Sequence, residues 1–214
     1  MLIKSLQPYA DDKGNLIDYS GDAKNAHSVD IEFLGNDNTL TVSPDAHFSR
    51  LKIMFKGHGN NIVIGRSWGA RPVHWAINVG HGCTVDIGDD VTTTNLVYVT
   101  AAEGVAVRVG KDCMFATAIE LRATDSHAIY DKATGGRINH SADVIIGDHC
   151  WLATGAVLMP GANLGSGCVL GHRATLLGPT GDDCVVVGSP ARVVRTGIEW
   201  RRPQTLDMPA QKYT

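Results

Sequence analysis

Aromatic residues make up only 6% of this 214-residue chain and charged residues only 19%. With 43% hydrophobic residues, that low charge excludes a disordered polyelectrolyte. Basic residues are not in excess either. Nineteen Lys and Arg stand against 22 Asp and Glu, a net charge of −3, so nucleic acid is not an expected partner. No stretch approaches the roughly 18 apolar residues of a membrane span. The opening MLIKSLQPYADDKGN lacks the apolar segment and small-residue cleavage site of a secretory signal. Cysteine is sparse and odd in number: Cys83, Cys113, Cys150, Cys168 and Cys184 show no CxxC spacing. That fits neither a disulfide framework nor a zinc knuckle. The expectation is a cytoplasmic protein without a metal or a membrane span.

What the chain does have is glycine, 24 residues of it, and a short period. From position 146 an aliphatic residue returns every six: Ile146, Leu152, Leu158, Leu164, Leu170 and Leu176. The residue four further on is small or nearly so: Cys150, Ala156, Ala162, Cys168, Ala174 and Thr180. A six-residue period excludes heptads and an amphipathic helix. The phrases NIVIGRS, TVDIGDD, AVRVGKD, DVIIGDH and ANLGSG repeat the unit upstream in looser form. Their last aliphatics are Ile64, Ile87, Val109, Ile146 and Leu164. The first two intervals slightly exceed three hexapeptides, the third is about twice that length, and the last is three hexapeptides without remainder.

Hexapeptides of this kind signal a solenoid in which each unit is one short strand and one corner. Three units make one triangular turn, the spacing from Ile146 to Leu164. The long interval from Val109 to Ile146 is one such turn plus a loop of nearly another turn's length. Strand alternation points the small residue inward, the next outward and the following aliphatic inward. Glycine after the aliphatic is expected to ease the corner backbone. Cys83, Cys113, Cys150 and Cys168 fall at the inward small position and read as core packing, leaving Cys184 outside the pattern. The expected layout is an irregular cap over 1–30, a β-helix over 31–195 and a tail over 196–214. The tail is expected to lie along a neighbour through Trp200.

On these residues the chain resembles the hexapeptide-repeat, left-handed parallel β-helix acyltransferases, most strongly from Val105 to Arg195. The segment TDSHAIYDKATGGRINHSADVIIGDHCWLATGAVLMPGA is similar to acetyl-CoA-dependent O-acetyltransferases of bacterial sugars and polysaccharides. The left hand is implied by the resemblance alone, since parallel crossovers are ordinarily right-handed.

The surplus loop is the natural place for chemistry, because a regular solenoid has no use for an insertion. Counting in sixes from Leu121 reaches His127, at the stem of a projecting loop over 127–144. The resemblance implies that His127 is the general base for an acceptor hydroxyl, a fitting task for imidazole. Asp125 or Asp131 would orient the ring, and the sequence does not choose between them. Tyr130, Arg137, Asn139 and His140 line the loop as candidate contacts to the acceptor. Trp151, outward between two inward residues, either lines the acetyl site, as the resemblance implies, or packs against a neighbouring subunit.

The resemblance implies that coenzyme A lies along the last coils. Ala153, Gly171, His172 and Arg173 are candidate contacts there, as are Pro190, Ala191, Arg192 and Arg195 of GSPARVVR. The two arginines of that phrase either meet the phosphates or cap the end of the solenoid. Outward apolar residues such as Trp151, Val157 and Val169 need cover, which favours a closed homotrimer with sites between prisms. Direct transfer in a ternary complex is expected, with a backbone N–H near Trp151 or Ala153 as oxyanion donor.

Other uses of the repeat fit less well. A γ-class carbonic anhydrase needs two His five apart, and none of the nine His has that spacing. A flat binding prism would carry a Thr ladder, yet only Thr92, Thr93 and Thr94 cluster. A non-catalytic scaffold, and serine or amino-sugar acetyl transfer, remain the alternatives because the repeat does not separate them.

Overall fold

Side chains alternate across a strand, so the small and aliphatic positions of each hexapeptide share one face. The computed structural model, which describes residues 2–202, turns that face inward. Cys150, Leu152, Ala156, Leu158, Ala162, Leu164, Cys168 and Leu170 are fully buried, while Trp151 between the first two is 36% exposed. Each such leucine contributes roughly 1.5–3 kcal/mol of transfer free energy to the core.

Three sheets wind around this core, and we label them A, B and C in the order the chain visits them in each turn. Sheet A includes Ala26–Phe33, Phe48–Phe55, Val97–Ala101, Glu120–Arg122 and Val157–Leu158. Sheet B includes Leu16–Asp18, Thr84–Ile87, Ala106–Val109, Val144–Ile146 and Asn163–Leu164. Sheet C includes Thr92–Thr93, Met114–Phe115, Trp151–Leu152, Val169–Leu170 and Cys184–Gly188. Successive coils pair in parallel. Antiparallel pairs close the ends: Leu2–Ile3 on Ala26–Phe33, Tyr9–Ala10 on Leu16–Asp18, and Ala191–Thr196 on Cys184–Gly188. Among the described residues no helix is long and apolar enough to cross a membrane.

The register gives the turn lengths directly. In sheet A, Val99 pairs with Leu121, Leu121 with Leu158 and Leu158 with Leu176, so the turn lengthens sharply once and then settles at its shortest. From Ile87 to Leu176, every passage from B to C and from C to A advances by one hexapeptide, as in Ile146, Leu152, Leu158. All variation there falls on the A-to-B corner. That corner is a single hexapeptide from Leu158 to Leu164, longer from Val99 to Val109, and longest by far from Leu121 to Ile146.

Inside the upper A-to-B corner runs a column of amides. Asn15, Asn38 and Asn60 are almost fully buried. Asn38 Nδ2 donates to Asn15 Oδ1 at 2.9 Å, Asn60 Nδ2 to Asn38 Oδ1 at 2.8 Å, and the Cys83 N–H to Asn60 Oδ1 at 2.9 Å. Asp11 caps the column from above by accepting from the Asn15 backbone and side chain. In the lower coils the B-to-C corner holds sulfur instead. The Cys150 N–H approaches Cys113 Sγ at 3.5 Å, and the Cys184 N–H approaches Cys168 Sγ at 3.3 Å.

Three expectations change here. Cys184 belongs to the thiol column, because the last coil is shorter than a full turn and Leu170 pairs with Val186. Residues 1–30 are more ordered than their polar composition suggests, since Leu16–Asp18 already pairs with Thr39–Thr41 in sheet B. Glycine after the aliphatic serves close approach rather than backbone freedom. A Cβ on Gly147 would stand 2.6 Å from the Ser166 nitrogen of the next coil. The left-handed backbone falls further along the corner, on Asp90, Asp112, His149 and Asp183.

Candidate active site

The A-to-B corner of the Leu121 coil carries the surplus residues, and they fold into a hairpin. Its stem closes where the Ala142 N–H donates to the Ala123 carbonyl at 3.1 Å. Ile138 donates to the Ile129 carbonyl, Tyr130 faces Arg137, and Asp131 donates to the Gly136 carbonyl at 2.9 Å. His127 sits on the outgoing strand just above the stem, its side chain exposed. Asn139 on the returning strand pins its backbone. Nδ2 donates to the His127 carbonyl at 2.8 Å and to Asp125 Oδ2 at 3.0 Å, and Oδ1 accepts from the Ile129 N–H at 2.6 Å.

The two candidate carboxylates part company in this geometry. Asp131 lies at the hairpin tip, where it accepts from the Ala133 and Thr134 N–H groups and the Thr134 hydroxyl. Those bonds, the Thr134 backbone first, hold its carboxyl below the usual range. Asp125 is the acid that shares a partner with His127.

Arg137 and Asn139 serve the hairpin itself. Arg137 grips Glu103 of the coil above, with Nη1 at 2.5 Å and Nη2 at 3.1 Å, and Ser141 Oγ donates to the same carboxylate at 2.7 Å. The guanidinium first, then the hydroxyl, lower the Glu103 carboxyl to about 2. Tyr130 and His140 stay exposed on the projection. Glu103 was not legible as an anchor, because its phrase, AAEGVAV, carries no loop signal of its own.

Trp151 projects from sheet C, in register between Met114 and Val169. The backbone around it is committed. The Trp151 N–H donates to the Cys168 carbonyl and the Ala153 N–H to the Leu170 carbonyl, each at 2.8 Å. Neither is available as an oxyanion donor, since parallel pairing spends these N–H groups on the next coil. Gly171 is bound likewise to the Val186 carbonyl. His172 and Arg173 stand exposed at the following corner. Pro190 and Ala191 make the turn into the final strand, from which Arg192 and Arg195 face solvent. That strand lies three strands beyond Trp151 in sheet C, roughly 14 Å along the axis at ~4.8 Å per strand.

Within one chain, His127 and Trp151 do not share a face. His127 leaves the A-to-B corner, Trp151 begins sheet C past the B-to-C corner, and sheet B runs between them. The thiols offer no substitute nucleophile. All five cysteines are free and buried. The thiol contact with Cys113 and then burial push the Cys150 thiol far up, and burial raises Cys168 to about 11. Thiolate at these two positions is therefore scarce at neutral pH.

The structure overturns one further expectation. Trp200 does not extend toward a neighbour but folds back onto its own solenoid, stacking on His149 at 4.2 Å. Residues 203–214 of the expected tail lie outside the described residues.

A family model for bacterial transferase hexapeptides (six repeats) matches residues 143–178. A polysialic acid O-acetyltransferase of Neisseria meningitidis is 32% identical over 148 residues, covering 59% of this chain and 68% of the relative. One from Escherichia coli O1:K1 / APEC is 29% identical over 130 residues, covering 61% of this chain but only 39% of that longer protein. The crystal structure of the polySia-specific acetyltransferase NeuO superposes with a TM-score of 0.82 at 28% identity, covering 91% of this chain and 88% of the other.

Proposed function

The chain belongs to the hexapeptide-repeat acetyltransferases, and from that premise we propose that it moves acetyl from acetyl-CoA to a hydroxyl of a surface polysaccharide. Polysialic acid is the first acceptor to try, because the relatives matched in sequence and in fold are named for it. The observation that carries the reading is His127. It is an exposed imidazole at the stem of the long insertion in a regular solenoid, with its backbone carbonyl bound by Asn139, whose amide also binds Asp125.

In this reading both substrates are held together and no acyl-enzyme forms. His127 takes the acceptor proton as the oxygen attacks the thioester carbon. The new C–O bond forms, the C–S bond breaks, and the proton leaves with the thiol. The burial of all five cysteines supports direct transfer, as it leaves no accessible thiol nucleophile. Asp125 orients the imidazole, while Trp151 walls the acetyl group. Arg192 and Arg195, charged and solvent-facing at the end of the solenoid, suit the phosphates of coenzyme A. The oxyanion donor lies elsewhere than the Trp151 and Ala153 amides.

A homotrimer completes the site. Sheet B separates His127 from Trp151 in one chain, so the hairpin of one prism meets the sheet C edge of the next. The exposed Ile129, Tyr130 and Ile138 of the hairpin supply apolar surface for that contact. The test is incubation with acetyl-CoA and polysialic acid, reading thiol release and an added acetyl mass on the polymer, beside light scattering. A trimer that acetylates the polymer is expected. A monomer, or thiol release without acetylated product, would refute the reading.

A further inference from the structure

The segment 198–202 runs back along the B-to-C corner against the direction of the coils. Ile198 donates to the Asp183 carbonyl at 3.1 Å. Further on, Trp200 stacks flat on His149, with planes 9° apart, and its Nε1 donates to the His149 carbonyl at 2.8 Å. Arg202 reaches higher still. Its Nε and Nη2 donate to Asp112 Oδ1 at 3.0 and 2.9 Å, and Nη1 donates to Thr92 Oγ1 at 2.8 Å. The guanidinium also lies over the Trp68 ring, 4.6 Å from its centroid. Its side chain is 6% exposed.

Asp112 and His149 join the two grips. The second Asp112 oxygen meets His149 Nδ1 at 2.6 Å, and His149 Nε2 faces the Trp200 carbonyl at 3.1 Å. The segment is thus tied to coils at Asp183, His149, Asp112 and Thr92 by charge-assisted and aromatic contacts.

That would be no more than a clip, were it not for where the indole falls. Trp200 is 7% exposed, and its ring centroid stands 6.2 Å from that of Trp151, at 47°. Trp151 has only Met114 and Val169 beside it in the sheet, and an outward indole on a flat face is free to swing. A tilted ring at that distance is a favourable aromatic contact that restricts it to one side.

We infer that the 198–202 strap is a positioning element for acetyl transfer: Trp200, locked by the His149–Asp112–Arg202 network, sets the Trp151 indole against the acetyl-CoA site. The inference rests on Trp151 as a wall of that site. Trp200 is a positioning residue, acting only through its neighbour.

The test is a double-mutant cycle on the full chain, reading the acetyl-CoA dissociation constant by calorimetry. It uses wild type, Trp151→Ala, Trp200→Ala and the pair. Trp200→Ala is expected to weaken binding roughly 3- to 10-fold in the wild-type background and less than about twofold in the Trp151→Ala background. Trp200→Phe, which keeps a flat ring, should bind nearly as wild type. Should Trp200→Ala fail to fold, the same cycle with Trp200→Leu decides. Equal losses in both backgrounds, or no loss in either, would overturn the strap's role and leave Trp151 intact as a wall. Wild-type affinity in Trp151→Ala would instead remove the premise, and the inference with it.

Discussion

In sheet B between Leu40 and Val107 the turns are long, and the corner after sheet A is filled by buried asparagine. Between Leu152 and Leu176 each turn is three bare hexapeptides, its strands shrink to two residues, and the core is leucine, alanine and cysteine. The upper coils hold themselves together with directed bonds from one rung to the next. The lower coils do so by undirected burial. Every buried amide must find its partners in adjacent coils, so loss of one leaves its neighbours unsatisfied. A lost methyl or thiol leaves only a small void. The hairpin with His127 sits at the boundary, anchored upward by Glu103 and downward by the Val144–Ile146 strand.

The largest expected effect separates chemistry from architecture across that boundary. A positioned base contributes roughly 10²–10⁴ in rate, so His127→Ala should lose at least ~10²-fold in turnover. Its imidazole is exposed, so the melting temperature should stay within about 2 °C of wild type. Steady-state thiol release and calorimetric melting check both halves. Near-wild-type turnover would remove His127 from the mechanism.

A stability contrast tests the two packing modes next. Asn38→Ala strips Asn15 and Asn60 of their central partner and is expected to cost roughly 2–5 kcal/mol. Cys150→Ala should cost about 1 kcal/mol, since the thiol gives up only weak bonds to the Gly165 and Asp148 carbonyls. Neither substitution touches the hairpin, so turnover of the folded fraction should be unchanged. Equal costs in urea titrations would mean that the amide column contributes no more than ordinary burial.

The smallest effect is in acid. Asn15, chiefly through its side-chain bond, lowers Asp11 from 3.8 to about 2, and Arg137 lowers Glu103 from 4.5 to about 2. Both folded values lie below the ordinary ones. Their stabilising contribution is therefore complete above the ordinary values and fades as pH falls toward about 2. Carboxyl NMR titration should give midpoints near 2 for the upper cap and the hairpin anchor alike. A midpoint for Glu103 near its ordinary value would show the hairpin unanchored in solution.

The contrast between the regions also explains what could be read in advance. The lower coils declare themselves because all three sides advance by six, so a period stands out in a single chain. The upper coils hide the same plan by lengthening one corner, which blurs the count. Asn15, Asn38 and Asn60 recur at that longer spacing, a signal carried by amides rather than aliphatics. The place of His127 at the stem of the loop was legible because the count in sixes breaks there. The choice between Asp125 and Asp131 was not, since it depends on how the hairpin folds back through Asn139. The Asp112–His149 pair joins equivalent positions of GKD and GDH, which become neighbours only once the coils stack. Trp200 has no period to betray it.

From Ile87 to Leu176 two of the three corners never change length, while the third ranges from a single hexapeptide to the whole His127 hairpin without disturbing the rungs on either side. Between Ile87 and Leu176 that third corner is where added peptide goes, and it leaves there as a self-contained projection. Under the proposed function the hairpin meets the acceptor and the end of the solenoid the donor, so a change of acceptor would need the exchange of one appendage only. Swapping residues 124–141 for the corresponding projection of a relative would then carry the acceptor preference with it.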